Sequence, residues 1–309
     1  MLGCMKSTIK LNNNTNMPIL GLGTWQAKKG LIGKAVQYAL EEANYKHIDC
    51  ASIYKNEKEI GNALYGVFSK GVVKRSDIFI TSKLWNTEHH PRNVEKACKQ
   101  TLKDLRLDYL DLYLVHWGIA FKHGILPEPL NVLGLARTEN VPMQDTWGAM
   151  ENLVKKGLVK SIGVANFTAP MLLDLFTYAH IQPAVNQIEI HPYNSQLALV
   201  DYCKKMKIAV TAYSPLGSTG KVSEKPLSDP VIINIARAHK KTPAQVLIRW
   251  LLQREIIAIP KSTKTNRIDE NSEVFNFVLS AIEMKNIYTL NKNKRFLNPS
   301  MWWGVPYFQ

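Results

Sequence analysis

A short apolar or β-branched run followed by a longer helical pattern recurs about every 30 residues, and this repetition constrains the fold more than any other feature. The runs cover residues 19–23, 47–51, 78–84, 109–117, 159–166, 184–190, 208–216 and 256–262. Several are almost continuously apolar, as in residues 110–115, which is the pattern of parallel strands buried on both faces. Between them, residues 34–44 and 94–105 carry apolar side chains at three- and four-residue spacing, the helical period. Thr242 followed by Pro243 predicts a helix start, with a capping residue and then proline at the first helical position. Eight units predict an α/β chain closed into a (β/α)8 TIM barrel, although counting alone leaves an open doubly wound sheet as the alternative.

Nothing divides the chain. Without a low-complexity tract or a linker rich in Pro, Gly or Ser, residues 1–309 read as a single barrel domain, a length such barrels commonly reach. Ahead of the first unit, residues 8–11 and 17–20 flank an Asn-rich turn and predict a β-hairpin. Two connections are long, 118–142 and 217–229, and loops of that length in a compact domain are often functional.

The composition, 46% hydrophobic and 21% charged, is that of an ordinary globular protein and requires no disulfide or structural metal. Cys4, Cys50, Cys98 and Cys203 fit no metal or redox spacing and read as free thiols in a reducing compartment. The first residues, MLGCMKSTIKLNNN, lack an apolar signal segment, and no run is long enough to span a membrane, so the expected location is cytoplasmic. The net charge of +14 is spread along the chain, without a basic arm or basic–aromatic interleaving. It reads as a solvated surface, with neither nucleic acid nor membrane as partner.

Chemistry gathers where the runs end. In parallel α/β folds the site lies beyond the C-terminal ends of the strands. Asp49 closes the second run, Lys83 the third, His116 the fourth and Asn166 the fifth. Gln187 and Glu189 lie on the sixth, Tyr213 on the seventh, and Lys261 with Ser262 on the eighth. Tyr54 follows the second run within a short loop. A phenol is a weak acid until a neighbouring ammonium stabilises its phenolate, and Lys83, held by Asp49, can supply that charge. His116 could then donate to a substrate oxygen. The set suits proton delivery to an oxygen as hydride reaches carbon.

With these residues in place, the chain resembles the aldo-keto reductase superfamily, in particular its aldose reductase and aldehyde reductase branch. Residues 49–61 (DCASIYKNEKEIG) match the family's first signature, and residues 105–114 with His116 and Trp117 match its fourth-strand segment. QIEIHPY at 187–193, AYSPLG at 212–217 and IPKS at 259–262 match three further segments. The resemblance implies a single-chain reductase, monomeric, that uses NADPH to reduce aldehydes. It implies Tyr54 as the general acid, Lys83 lowering its pKa, Asp49 pairing with Lys83, and His116 orienting the carbonyl. Asn166 and Gln187 would hold the nicotinamide carboxamide and Tyr213 would stack on the ring, while Gly23, Thr24, Trp25 and Asp49 would also meet the cofactor. Ser214, Leu216 and Ser218 would reach the pyrophosphate. Lys261, Ser262 and Arg267 would take the 2′-phosphate, favouring NADPH over NADH, and Glu270 and Asn271 the adenine. Trp25, Ile53, Trp85, Trp117 and Phe121 would line the substrate pocket with Tyr54 and His116. His116 argues against the related carbon–carbon double-bond reductases, which carry Glu there. A ketone- or ketosteroid-preferring reductase, or a cofactor-binding channel subunit or crystallin, stays compatible with the same residues.

Gly21-Leu22-Gly23 begins like a dinucleotide-binding glycine loop, but Gln26 stands where its third glycine would be, so a Rossmann site is unsupported. Three positions depart from the resembled pattern. Ala165 replaces a serine beside Asn166, Gly118 replaces a proline after His116-Trp117, and the 217–229 loop is short and lacks a tryptophan. The aromatic tail, MWWGVPYFQ at 301–309, either folds over the barrel mouth and shapes specificity, the favoured expectation, or packs on the surface.

Overall fold

A computed structural model describes residues 7–217 and 224–308. The chain opens with a hairpin, β1 (Thr8–Lys10) antiparallel to β2 (Asn16–Pro18), with Ile9 facing Met17. This hairpin sits across the N-terminal end of the barrel. Asn12 Nδ2 donates to Pro183 O at 3.0 Å and Asn13 Nδ2 to Ser161 Oγ at 2.8 Å, while Leu11 and Met17 are buried beneath it.

Barrel strands and helices then alternate. They run β3 (Leu22–Gly23), α1 (Ile32–Glu41), β4 (His47–Asp49), α2 (Glu57–Ser69), β5 (Phe79–Leu84), α3 (Pro91–Leu105), β6 (Leu110–Val115) and α4 (Met143–Lys155). The series continues with β7 (Val159–Ala165), α5 (Ala169–Tyr178), β8 (Val185–Glu189), α6 (Leu197–Lys205) and β9 (Ala209–Tyr213). Two helices, α7 (Pro230–Ala238) and α8 (Pro243–Gln253), precede β10 (Ile257–Ala258), and α9 (Thr265–Ser272), α10 (Ala281–Tyr288) and α11 (Ser300–Trp303) complete the chain.

The sheet has eight parallel strands in sequence order, and it closes. Leu20 bridges Ala258 and Gly23 bridges Lys261 in parallel, with Ala258 N donating to Ile19 O at 2.9 Å. Of the two sheet topologies compatible with the repeat, the barrel is therefore the one formed. All six residues of β5 and of β6 are buried, because side chains fill the barrel on one side and helices cover the other. The Gly21-x-Gly23 pair has a packing cause. A side-chain carbon at 21 would collide with the His47 ring, and one at 23 would lie 2.7 Å from Ile259 O.

Helix ends follow local chemistry. Thr242 caps α8 through a capping box with Gln245, as its sequence predicts, and α3 starts on Pro91 and stops where Arg106 turns left-handed at φ 57°. Residues 42–44, expected to extend the first helix, lie beyond α1, and Asn44 turns left-handed at φ 54°. The barrel strands are shorter than their apolar runs at both edges of the closure. β3 and β10 have two residues each, since curvature there allows bridges and no long ladder.

Candidate active site

The C-terminal ends of the strands open into a cleft of about 740 Å³. At its base Lys83, fully buried on β5, donates to Asp49 Oδ1 at 2.6 Å, to Cys50 O at 2.8 Å and to Tyr54 Oη at 3.5 Å. Parallel register brings these residues together. Asp49 ends β4 opposite Thr81, two residues before Lys83 on the neighbouring strand, and a single 3-10 turn, Ser52–Tyr54, returns the phenol over the lysine. Lys55 ends that turn in the left-handed region at φ 56°.

The electrostatics are those of a buried cation with a partner. Burial disfavours the Lys83 ammonium, but Asp49 and Tyr54 more than offset it, leaving its pKa above the usual lysine value. Burial pushes the Tyr54 phenol up, Lys83 pulls it back and Asp49 pushes it up again, for a net value of about 12. Lys83 thus lowers this pKa only against the effect of burial, and the phenol stays protonated at neutral pH. This corrects the sequence expectation of a phenol more acidic than usual. His116 is neutral, because burial and the Lys83 charge push its pKa well below the usual range. Its ring meets Trp85 edge-on at 5.1 Å and Tyr54 at 6.0 Å.

A second network lies beside the first. Asp49 Oδ2 accepts from Gln187 Nε2 at 2.8 Å, so one carboxylate orients both the lysine and the amide. Asn166, in the left-handed region at φ 64°, donates through Nδ2 to His116 O at 3.0 Å and accepts from Tyr213 Oη at 2.7 Å. These bonds leave Gln187 Oε1 without a partner among the described residues, and Asn166 retains a second amide hydrogen. Thr24 donates to Asp49 O at 2.8 Å, which fixes the loop after β3.

Fifteen of the residues picked out from the sequence form the cleft wall: Gly23, Thr24, Trp25, Asp49, Ile53, Tyr54, Trp85, His116, Trp117, Asn166, Gln187, Tyr213, Ser214, Leu216 and Lys261. Five others do not. Phe121 is fully buried behind the wall, edge-on to Trp85 and Trp303, so it supports the pocket without lining it, which corrects its assignment. Ser262 lies between Lys261 and α9, and Arg267, Glu270 and Asn271 lie along α9. Arg267 is exposed there, and Glu270 accepts from Thr242 Oγ1 at 2.8 Å. Ser218, with the rest of residues 218–223 of the 217–229 loop, lies outside the described residues.

The tail does fold over the mouth. Trp302 and Trp303 line the cleft with Phe296 and Leu297. Trp303 is buried against Trp85 and Trp117, and its Nε1 donates to Glu128 Oε1 at 3.0 Å. Glu189, noted in the sequence only as a strand-end acid, holds the tail's start by accepting from Phe296 N at 2.7 Å and Leu297 N at 3.1 Å. Glu128, Phe296 and Leu297 were missed because each reaches the cleft from a loop without periodicity.

The cleft fits an extended, anionic cofactor with an amide at one end. Free amide groups of Asn166 and Gln187 and the half-buried cation of Lys261 share one cleft wall with Tyr54. Among the described residues no cluster of His, Cys, Asp and Glu could hold a metal.

Comparison with known proteins agrees. Residues 19–292 match the model of the Aldo/keto reductase family. The chain is 47% identical over 303 residues to aldo-keto reductase family 1 member A1-A of Danio rerio, covering 96% of this chain and 93% of that one. It is 45% identical over 301 residues to the human family 1 member A1, covering 96% and 92%. The fold superposes on the aldose reductase of Schistosoma japonicum with a TM-score of 0.92 at 46% identity, covering 98% of each chain. With the aldose reductase of Giardia lamblia the TM-score is 0.89 at 43% identity, covering 94% of this chain and 98% of that one.

Proposed function

Because the chain belongs to the aldo/keto reductase family, we propose that it reduces aldehydes, aldoses included, to alcohols with NADPH as hydride donor and Tyr54 as general acid. The observation that carries this reading is Lys83 Nζ, buried between Asp49 Oδ1 and Tyr54 Oη. When bound, NADPH would supply the hydride for the carbonyl carbon. The residues of the chain handle the oxygen.

A carbonyl oxygen placed between Tyr54 Oη and the His116 ring meets a protonated phenol and a neutral imidazole, each able to donate one hydrogen bond. As negative charge develops on the oxygen, Tyr54 releases its proton to it, and the resulting phenolate lies against the Lys83 ammonium. Asp49 keeps that ammonium charged and in place. Burial favours the protonated phenol and the Lys83 ammonium favours the phenolate, so the residue can hold its proton at rest and give it up to the developing charge. Gln187 Oε1 and the spare hydrogen of Asn166 would meet the carboxamide, Tyr213 the ring face, and Lys261 with Arg267 the 2′-phosphate. Trp25, Trp85 and Trp117 would exclude water around the aldehyde.

The net charge of +14 opposes self-association, in keeping with a monomer, and the free, buried thiols of Cys50, Cys98 and Cys203 suit a reducing compartment such as the cytoplasm.

The test is oxidation of NADPH by purified protein given glyceraldehyde or an aromatic aldehyde. Tyr54→Phe is expected to abolish turnover while binding NADPH as the parent does. An inert parent protein, or an active Tyr54→Phe variant, would falsify the mechanism.

A further inference from the structure

The 118–142 connection does more than wall the cleft. Its outer part presents Ile125 and Val132 with their side chains wholly in solvent (101% and 102%), and Leu133 at 77%. Leu126, Leu130 and Leu135 are exposed beside them, and Met301 of the tail extends the same surface at 81%. The tail and the loop are joined here, since Ala136 N donates to Trp303 O at 2.9 Å. Single exposed aliphatics are ordinary, whereas this many on one projecting loop mark a contact surface.

The loop backbone is tied down on its inner side. Pro127 O accepts from Trp85 Nε1 at 2.6 Å and Pro129 O from Arg137 N at 2.8 Å. At the tip, Asn131 Oδ1 accepts from Leu133 N at 2.9 Å and Leu135 N at 3.0 Å, and Gly134 N donates to Asn131 O at 3.0 Å. The tip therefore satisfies these N–H groups internally while its aliphatic side chains point out. A tip built this way can enter a poorly hydrated medium without stranding those donors.

Charge selects the medium. Lys28 and Lys29 after β3, Lys55 after β4, and Lys122 and Arg137 at the loop's base are all exposed on this face of the barrel. The loop itself carries two carboxylates, Glu128, which accepts from Trp303 Nε1, and Glu139 at its base, so the surplus of positive charge comes from Lys28, Lys29 and Lys55 beside it. With +14 on each chain, a second copy would be repelled and an anionic surface attracted. We propose that residues 124–135, with Met301, dock the protein on an anionic lipid surface, apolar tips inserted at the headgroup boundary and the cleft mouth alongside. The even spread of lysines along the sequence gave no reason to expect a membrane partner. The apolar tip does.

The experiment is co-sedimentation of the full chain with phosphatidylcholine vesicles, with and without phosphatidylserine, beside a variant combining Ile125→Ser, Val132→Ser and Leu133→Ser. The parent is expected to sediment with the phosphatidylserine vesicles, less with phosphatidylcholine alone and less at high salt. The variant should lose at least tenfold in partitioning, with an unchanged melting temperature because these side chains lie in solvent. The proposal is overturned if the parent stays in the supernatant with phosphatidylserine, or if the variant binds as well as the parent. It is equally overturned if the parent forms a dimer in vesicle-free buffer that the variant dissolves, since the occupant is then a second copy.

Discussion

The backbone N–H of Gly118 donates a 2.8 Å hydrogen bond to the Tyr307 phenol oxygen, joining the start of the β6–α4 connection to the last residues of the chain. A proline at 118, the residue common there in the resembled family, would have no N–H to give. A side-chain carbon at this position would also collide with Met171 Cε and lie 3.0 Å from Tyr307 Oη. Tyr307→Phe is expected to cost about 1 kcal/mol of tail attachment. It should raise KM for bulky aldehydes several-fold with little change in kcat. Gly118→Pro should do more, and steady-state kinetics on small and bulky aldehydes would show both. Equal KM values across the three proteins would mean that the tail is held without this bond.

Lys83 is the site's only fully buried lysine, and Asp49 depends on it. Lys83→Met is expected to lower kcat at least a hundredfold, because the phenol loses the charge that receives it. Leaving Asp49 buried without its cation should also destabilise the fold by about 3–5 kcal/mol. Urea denaturation and single-turnover rates would separate the two effects.

Glu57, outside the cleft but hydrogen-bonded to the residue before Lys83, sets a pH dependence of its own. It is buried between α2, β5 and α3, accepting from Ser82 Oγ at 2.6 Å and Thr101 Oγ1 at 3.1 Å. Burial raises its pKa to about 7, against the pull of those two hydroxyls. A raised carboxylate means that the folded state binds the proton more tightly. Its contribution is complete below the unfolded value near 4.5 and is lost as pH rises through about 7. The loss approaches roughly 3 kcal/mol. Glu57→Gln should therefore flatten the urea midpoint between about pH 5 and pH 8 relative to the parent. Parallel curves for the two proteins would remove Glu57 as the cause.

Ala165 ends β7 opposite Gln187, one residue before Asn166. Restoring serine would add one donor beside the amide pair. With a hydrogen bond contributing about 1 kcal/mol, Ala165→Ser should tighten NADPH roughly fivefold by fluorescence titration. An unchanged Kd would show that the cofactor does not reach this position.

Local signals carried most of the architecture. Each apolar run contains one barrel strand, and Asp49, His116, Asn166 and Tyr213 stand at or just past the C-terminal end of theirs, with Lys83 one residue before the end of β5. Strand ends were harder to read. The 208–216 run is one apolar stretch, yet β9 stops at Tyr213 because Ser214 turns left-handed at φ 47°. Phe121 and Trp303 show the limit more sharply. Both are aromatic residues near the mouth, and only the three-dimensional path of two irregular segments puts one behind the wall and the other on it. The net acidity of Tyr54 was likewise out of reach, since burial is a property of the assembled site.

The seam between β3 and β10 has a bearing on how the chain is made. The first barrel strand emerges from the ribosome more than 200 residues before the strand that completes its pairing. Until Ile257 and Ala258 are synthesised, both flanks of a growing parallel sheet stay open to other chains. A message truncated after Lys83 but before that point yields a polypeptide with Asp49, Tyr54 and Lys83 present, no finished cylinder around them, and two sticky borders for chaperones to guard.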